Sequence, residues 1–416
     1  MQAMASPNNA HRGPPRVGSV EMKQLIAAIG ESAAASKRAG TALHPAIDLV
    51  RQSRLGAIRV PVADGGGGCS VREYFAMLME LAAADPDVAH LLRAHYWVTE
   101  ERMRAKHAVN RTPWIEKIVD GAIFGNAVSE LGGSAAVGSW LFNTKLTPHG
   151  ERFVLNGAKY YVTGSLYSDW LMVFACDPMG KVVSVIIPAT RKGVTLEDDW
   201  DGIGQRLTGS GSAVFRDVEV LPNEVQTAGI ESSETASLAD PADPLLVGQF
   251  IQLILTAVIA GIVRNIANDA ALVVKGRGRT YSHAPTDTAS SDPLLQQIVG
   301  ELESAAFAAE SIVLAAADAQ DIALASVVNG AADFELAHRA SLLAAHAKVV
   351  IDELAARAAT RLFDVGGASS VKQSANLDRH WRNIRTVASH NPTVYKACAI
   401  GNYLINGEVL PSNGFF

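Results

Sequence analysis

One stretch of the sequence limits the possible folds more than any other, because Leu245 to Val263 is almost entirely apolar. A run of this length lies either across a membrane or inside a large helical protein. Gln249, Gln252 and Thr256 interrupt it, and further long apolar helical patterns follow. These features favour a buried helix of a bundle over a membrane span.

The composition of the 416 residues agrees with a large helical protein. The chain is 48% hydrophobic and only 19% charged, and a low charged fraction with much alanine indicates long helices packed together. It excludes a disordered chain, a disulfide scaffold and a collagen-like repeat. The formal net charge of −6 gives no basic excess, so we expect no nucleic-acid partner and no membrane partner.

The cysteines and the N-terminus give weaker indications. Cys69, Cys176 and Cys398 are too few and too scattered for a zinc site or a disulfide framework. No spacing of His and Cys suggests a metal triad, so we expect no metal. Three unpaired cysteines fit a reducing cytoplasm, although each can equally be a core residue. Residues 1–16 lack the apolar segment of a signal peptide and predict a disordered leader.

The pattern of apolar residues changes from helical to strand-like and back to helical, which predicts three domains after the leader. Residues 17–124 show helical periodicity, with Ser70 as the N-cap of a helix. Residues 125–235 read as short strands in a small barrel or sandwich. Residues 236–416 return to long helices, which predicts a C-terminal bundle. The expected fold class is therefore α+β.

Local patterns predict the individual elements. Asn156-Gly157 is a strong hairpin signal and predicts a turn between Phe153–Leu155 and a partner strand at Lys159–Thr163. Further strands are predicted at 171–175, 182–187, 194–196 and 213–220. Long helices are predicted at 245–275, 293–324 and 331–363, with a shorter one from Thr393.

Two patches rich in small residues follow predicted strands, at Gly164-Ser165 and Gly209–Ser212. Small residues let backbone amides approach a planar or anionic ligand closely. The alternative is that both are ordinary turns at strand ends. A dense polar stretch, Asp378 to Asn391, follows the apolar helices, and its alternative is a solvated face with salt bridges.

Two histidines are candidates for proton transfer. His390 titrates near neutral pH in its ordinary state and can act as a proton donor or acceptor. His95 lies in an otherwise apolar helical segment. For each, a structural histidine is the alternative.

The order of domains and several motifs together resemble the acyl-CoA dehydrogenase fold, over about residues 56–410. In that fold, Asn126–Glu130 resembles the loop whose hydroxyl, here Ser129, contacts the flavin pyrimidine edge. The strand at Tyr161–Thr163, with Tyr161 and Thr163, resembles the one against the isoalloxazine ring. Arg279-Thr280 resembles the segment that reaches the flavin phosphate, often from a neighbouring subunit, and Gly366-Gly367 resembles a glycine pair near the cofactor.

Within that fold the chain is most similar to two-component flavin monooxygenases of the dibenzothiophene monooxygenase type. The stretches that carry this resemblance are 159–165, 198–206, 208–211 and 379–386, the last continuing to His390-Asn391-Pro392. Many acyl-CoA dehydrogenases place a catalytic Glu where this chain has Asn391, and Asn cannot act as a general base. His390 and His95 fall at or near the active-site histidines of the monooxygenase branch. Val387 stands where that branch often has a second histidine.

The resemblance implies a reaction and its participants. Reduced flavin from a separate NAD(P)H:flavin reductase would react with O₂ to a C4a-hydroperoxyflavin, which oxygenates sulfur, nitrogen or an aromatic carbon of a small substrate. His95 and His390, with Ser165 or Asn126, would hydrogen-bond the peroxide and supply or accept protons. The phosphate would contact Arg279 and the amides of 209–212, which include Ser210 and Gly211. Trp200 would flank the flavin or substrate, or be a core residue.

Several points stay open at this level. Reduced FMN is expected, with FAD as the alternative, and the substrate is not identified by the sequence. A homotetramer is expected from the fold. The alternative functions are an acyl-CoA dehydrogenase that oxidises an acyl thioester with FAD, and a non-catalytic member of the fold.

Overall fold

The computed structural model describes residues 13–105, 108–131, 141–226, 242–278, 280–328, 331–411 and 416. The N-terminal part of this chain is helical. Its helices are α1 (Val20–Ala39), α2 (His44–Gln52), α3 (Val71–Ala84), α4 (Pro86–Leu91), α5 (Arg93–Met103) and α6 (Ala108–Val119). The predicted cap at Ser70 is confirmed: its side chain accepts from the Glu73 amide and the Glu73 side chain accepts from the Ser70 amide, a capping box.

The middle of the chain forms strands. They are β1 (Phe124–Ala127), β2 (Lys145–His149), β3 (Arg152–Lys159), β4 (Trp170–Cys176), β5 (Val182–Pro188), β6 (Val194–Leu196), β7 (Ala213–Val220) and β8 (Val225–Gln226). In the described residues they make one sheet in the order β6-β7-β3-β2-β4-β5-β8, with β1 parallel to β4. With the helices on either side in sequence, this confirms the α+β class.

The hairpin predicted at Asn156-Gly157 is wrong. Both residues lie inside β3, and the turn falls instead at Gly150-Glu151, between β2 and β3. Gly157 is required there for a different reason, because a Cβ on it would lie 2.4 Å from Thr144 Oγ1. The glycine therefore permits close strand packing at a bulge against β7.

The strand predicted at Lys159–Thr163 is also wrong beyond its first residue. β3 ends at Lys159, and Tyr161 has φ of 56°, in the left-handed region that a strand does not use. The chain turns away from the sheet here and delivers Tyr161 and Thr163 to the edge of a cavity.

The C-terminal part returns to long helices. They are α7 (Ala242–Gly276), α8 (Pro293–Ala325), α9 (Phe334–Arg361), α10 (Asp378–Ala388) and α11 (Thr393–Asn406). The helices α7, α8 and α9 pack against one another, and α3 packs on α7 and α8. Tyr74 of α3 stacks on Phe250 of α7 with ring centroids 5.2 Å apart, so the two helical regions share one core.

The apolar run that dominates the sequence lies in α7. By length and composition α7 is long and apolar enough to cross a membrane, but 94% of its most apolar window is buried inside the protein. The packing on α3, α8 and α9 accounts for that burial. The predicted domain boundaries stay predictions: 227–241 and residues 1–12 of the leader lie outside the described part.

Candidate active site

A cavity of about 580 Å³ lies where the three parts of the chain meet. One wall comes from α4 and α5, a second from the loops of the sheet region, and a third from the end of α10 and the turn before α11. The residues that line it are His90, Arg93, Ala94, Trp97, Asn126, Val128, Ser129, Tyr161, Thr163, Trp200, Gly202, Ile203, Gln205, Ser210, Arg385, Thr386, Ser389, His390 and Asn391.

The helical wall carries one histidine and one arginine. His90, Arg93, Ala94 and Trp97 recur at the three- and four-residue spacing of a single helical face, across the short break between α4 and α5. His90 Nδ1 lies 2.9 Å from Gln205 Oε1. Burial, with the charge of Arg93, lowers the pKa of His90 to about 4, so the ring is neutral at pH 7.

His95 lies on the opposite face and does not line the cavity. Its Nδ1 accepts a hydrogen bond from the Phe124 amide at 3.2 Å, so its Nε2–H donates to the Gly56 carbonyl at 3.0 Å. Burial lowers the pKa of His95 to about 4. The structure therefore does not bring the predicted catalytic His95 to the site, and its position is that of a core histidine whose two nitrogens are both satisfied.

The loop wall is held by a dense set of hydrogen bonds around Gln205. The Gln205 amide donates to Asn383 Oδ1 at 2.8 Å, and its carbonyl accepts from Trp200 Nε1 at 3.0 Å and Thr208 Oγ1 at 2.8 Å. These bonds hold Gln205 at φ of 53°, a conformation that is costly for a non-glycine residue. They fix the Gln205 side chain against His90.

The predicted flavin-facing residues of the sheet region reach the same cavity. Thr163 Oγ1 lies 2.9 Å from Ser210 Oγ, which lies 2.7 Å from Thr208 Oγ1. Tyr161 is 56% exposed and meets Trp200 edge-to-face, with ring centroids 5.9 Å apart. An aromatic pair that lines a cavity, with one ring exposed and the other half-buried, offers a surface for a planar ligand.

Asn126 and Ser129 line the cavity at and just after β1. The chain here is anchored by the buried Lys159, whose Nζ donates to the Val128 carbonyl at 2.9 Å and to Glu130 Oε1 at 2.7 Å. Burial lowers the pKa of Lys159 to about 8. This ion pair fixes the backbone on both sides of Ser129.

The C-terminal wall holds His390 next to Asn391. His390 Nδ1 lies 2.9 Å from Asn391 Oδ1, and Asn391 Nδ2 donates to Gln252 Oε1 at 2.7 Å. The Asn391 oxygen must therefore accept, so His390 Nδ1 carries a proton and Nε2 is a lone-pair acceptor in the neutral ring. Burial and the nearby Arg93 and His90 lower the pKa of His390, although its side chain opens to the cavity.

The remaining predicted residues lie outside the lining. Ser165 is buried, with its hydroxyl turned to the Gly209 carbonyl at 3.4 Å. Gly211 accepts a backbone hydrogen bond from Val162. Gly366 packs on Ser370 and Gly367 on Tyr281, so that a Cβ on Gly367 would lie 2.1 Å from the Tyr281 hydroxyl. Val387 is a buried core residue, and Arg279 lies outside the described residues.

His90, Arg93 and Gln205 line the cavity but were not predicted from the sequence. A signal for the first two was present, because residues 90, 93, 94 and 97 form one helical face while 95 falls on the opposite side. Two histidines five residues apart cannot both face one cavity from a regular helix. The side chain of Gln205 had no comparable signal, since only the tertiary loop contacts bring it to His90.

Comparison with known proteins gives two family matches and a set of full-length relatives. Residues 125–218 match the middle domain of acyl-CoA dehydrogenases, and residues 253–394 match their C-terminal domain. A dibenzothiophene monooxygenase of Rhodococcus erythropolis is 30% identical over 406 residues, which cover 91% of this chain and 90% of the relative. The probable FMNH2-dependent monooxygenase SfnC of Pseudomonas putida is 29% identical, covering 97% and 98%.

Solved structures agree with these matches. FMN-bound TdsC from Paenibacillus sp. A11-2 superposes with a TM-score of 0.84 at 27% identity, covering 95% of this chain and all of that one (100%). Methanesulfinate monooxygenase MsuC from Pseudomonas fluorescens gives 0.83 at 27% identity, covering 95% and 98%. The likeness extends over nearly the whole chain in both sequence and fold.

Proposed function

This chain belongs to the acyl-CoA dehydrogenase family, among relatives that are flavin-dependent monooxygenases, and we propose that it transfers one oxygen atom from O₂ to a small organic substrate. Reduced FMN, delivered by a separate flavin reductase, would supply the two electrons for this reaction when bound. The second oxygen atom leaves as water. The acceptor is a sulfur, a nitrogen or an electron-rich aromatic carbon.

The single observation that carries this function is the set of proton-transferring side chains in the cavity wall. The lining residues include two histidines and no Asp or Glu among the described residues. An acyl-CoA dehydrogenase needs a general base for the α-proton, and Asn391 cannot supply it. Two neutral histidines suit the delivery and removal of protons around a reacting oxygen.

The wall also fits an FMN ring. The volume of about 580 Å³ falls in the range of roughly 300–1,000 Å³ typical of cofactor sites. Gln205 Nε2 is buried without a partner among the described residues, which leaves a donor for a ligand acceptor. Asn126, Ser129 and Ser210 add hydrogen-bonding groups along the wall.

We assign roles on this basis. His390 accepts a proton at Nε2 and returns it, and Asn391 fixes its tautomer. Asn126, Ser129, Thr163 and Ser210 hydrogen-bond the ring, and Tyr161 and Trp200 flank it. His90 replaces His95 as the second histidine, and Thr163 replaces Ser165 as the hydroxyl at the ring.

The phosphate end and the assembly remain as predicted from the resemblance. Arg279 and the amides of 209–212 would hold the phosphate, partly across a subunit boundary of a homotetramer, and Gly366-Gly367 would lie near the cofactor. Support comes from largely exposed apolar side chains on α11, which include Val394, Tyr395, Leu404 and Ile405. Several exposed apolar side chains on one helix favour a protein contact. A cytoplasmic location is part of the same proposal.

The test is oxygen transfer under controlled flavin supply. The protein is incubated with FMN, NADH, a generic flavin reductase, ¹⁸O₂ and a thioether, and ¹⁸O in the sulfoxide is measured by mass spectrometry. Catalase removes hydrogen peroxide formed by free reduced flavin. We expect label that depends on the protein and survives catalase. Loss of product with catalase, or anaerobic bleaching of bound flavin by an acyl-CoA, contradicts the function.

A further inference from the structure

The buried cation Arg93 is not used by the mechanism above. It is the first residue of α5, only 8% exposed, and its side chain lines the cavity. Its Nε donates to the Ile251 carbonyl at 3.2 Å. Its Nη2 is buried with no hydrogen-bond partner among the residues that the structure describes.

Several other buried cations of the described chain have carboxylate partners, whereas the buried Lys396 lies over the Phe416 ring. Arg59 pairs with Glu100 at 2.7 Å, Lys159 with Glu130 at 2.7 Å, and Lys348 with Asp352 at 2.8 Å. Arg93 forms no ion pair with a described residue. Burial lowers the pKa of Arg93 to about 10, so it remains charged at pH 7. An unpaired buried charge is unfavourable, which calls for a ligand that compensates it.

The surroundings of Arg93 strengthen this requirement. A second arginine, Arg385, lines the same cavity, and the described lining contains no carboxylate. The buried Gln205 Nε2 adds another donor without a partner. A cavity whose wall has positive charge and spare donors attracts anions and disfavours cations.

We propose that Arg93 binds the oxyanion group of an anionic substrate, a carboxylate or a sulfonate, and thereby selects organic anions. This rests on the proposed monooxygenase function and specifies its substrate class. The guanidinium presents parallel N–H donors that match two oxygens of such a group. The oxidisable atom elsewhere in the substrate receives one oxygen, and the overall reaction is substrate + O₂ + FMNH₂ giving oxygenated substrate + FMN + H₂O.

The experiment compares two thioethers that differ in one group, 4-(methylthio)benzoate and 4-(methylthio)toluene. Their binding to the full chain is measured by calorimetry, with and without oxidised FMN, so that the result does not depend on turnover. The wild type is expected to bind the anion at least tenfold more tightly. Arg93→Met should reduce this preference to within twofold, and Arg93→Lys should retain part of it.

Two further readouts separate a structural role and a flavin role. Because Arg93→Met removes an unpaired buried charge, its Tm without ligand should be unchanged or higher; a clear fall indicates a structural role and contradicts the proposal. Weaker FMN binding with the anion preference intact assigns Arg93 to the flavin and also contradicts it. Equal binding of both probes by the wild type overturns the substrate class, whereas absent ¹⁸O transfer with the preference intact overturns only the reaction.

Discussion

The two faces of the α4–α5 segment carry histidines that are both buried and whose pKa values are both lowered, but their surroundings differ. His90 contacts a side chain, Gln205, and lines the cavity, whereas His95 bonds the backbone through both nitrogens and lies in the core. The pKa of each is lowered to about 4, chiefly by burial. A perturbed pKa alone therefore does not mark a functional histidine here; the partners of the ring nitrogens do.

The largest effect expected on the core side is a loss of stability in His95→Ala. The substitution removes the hydrogen-bond partner of the Phe124 amide and of the Gly56 carbonyl, and it leaves a cavity. We expect the free energy of unfolding to fall by about 4 kcal/mol, measured by urea denaturation, while turnover per folded molecule is retained. His346→Ala, on an exposed part of α9, is the matched control. Normal stability with lost turnover would place His95 in the active site after all.

The opposite pattern is expected on the cavity side for His390→Ala. General acid–base groups contribute roughly 100-fold or more to rate, so product formation should fall by about 100-fold. The Tm should change little, because the partner of His390 Nδ1 within the described part of the chain is the neighbouring Asn391. Added imidazole should restore part of the rate. An unchanged rate with bound FMN excludes His390 from proton transfer.

The same comparison shows what the sequence could predict. The helix over 245–275 and the cap at Ser70 follow from local pattern, and His390, Asn391, Thr163 and Ser210 were found through motifs and do line the cavity. The hairpin at Asn156-Gly157 failed because Gly157 serves close packing against Thr144. His95 was predicted because it falls near the N-terminal active-site histidine of the resembling branch, and His90 was not predicted. Hydrophobic periodicity alone does not distinguish a core from a cavity lined by the same helix.

Acidification should act on both faces together. The folded-state pKa of about 4 for His90 and His95 lies below the ordinary value of about 6.5, so the unfolded chain binds more protons between these values. The contribution of the two neutral histidines to stability is therefore fully present above about pH 6.5 and is lost as the pH falls towards 4. Between pH 7 and pH 5 the free energy of unfolding should fall by about 2 kcal/mol for each of the two histidines.

Unfolding at several pH values measures this loss. His90→Gln keeps a polar side chain opposite Gln205 but does not titrate, so it should flatten the pH dependence by one histidine's share, while His346→Ala should leave the slope unchanged. If His90→Gln retains the full slope, His90 is not buried as a neutral ring.

The smallest expected effect tests Thr163, a cavity residue whose hydroxyl also has a partner within the protein. Thr163 lies at the cavity, yet its hydroxyl has a side-chain partner in Ser210, which bonds Thr208 in turn. Thr163→Val keeps the shape of the side chain and removes the hydrogen bond that Thr163 is proposed to make to the flavin ring. Such a bond is worth about 1 kcal/mol, so we expect FMN binding to weaken by about fivefold in a fluorescence titration. Thr147→Val, exposed on β2, is the control. If Thr163→Val instead lowers the Tm and leaves FMN affinity intact, the hydroxyls of Thr163, Ser210 and Thr208 stabilise the loop and do not bind the flavin. As for His95, hydrogen-bond partners within the protein would then mark a structural residue.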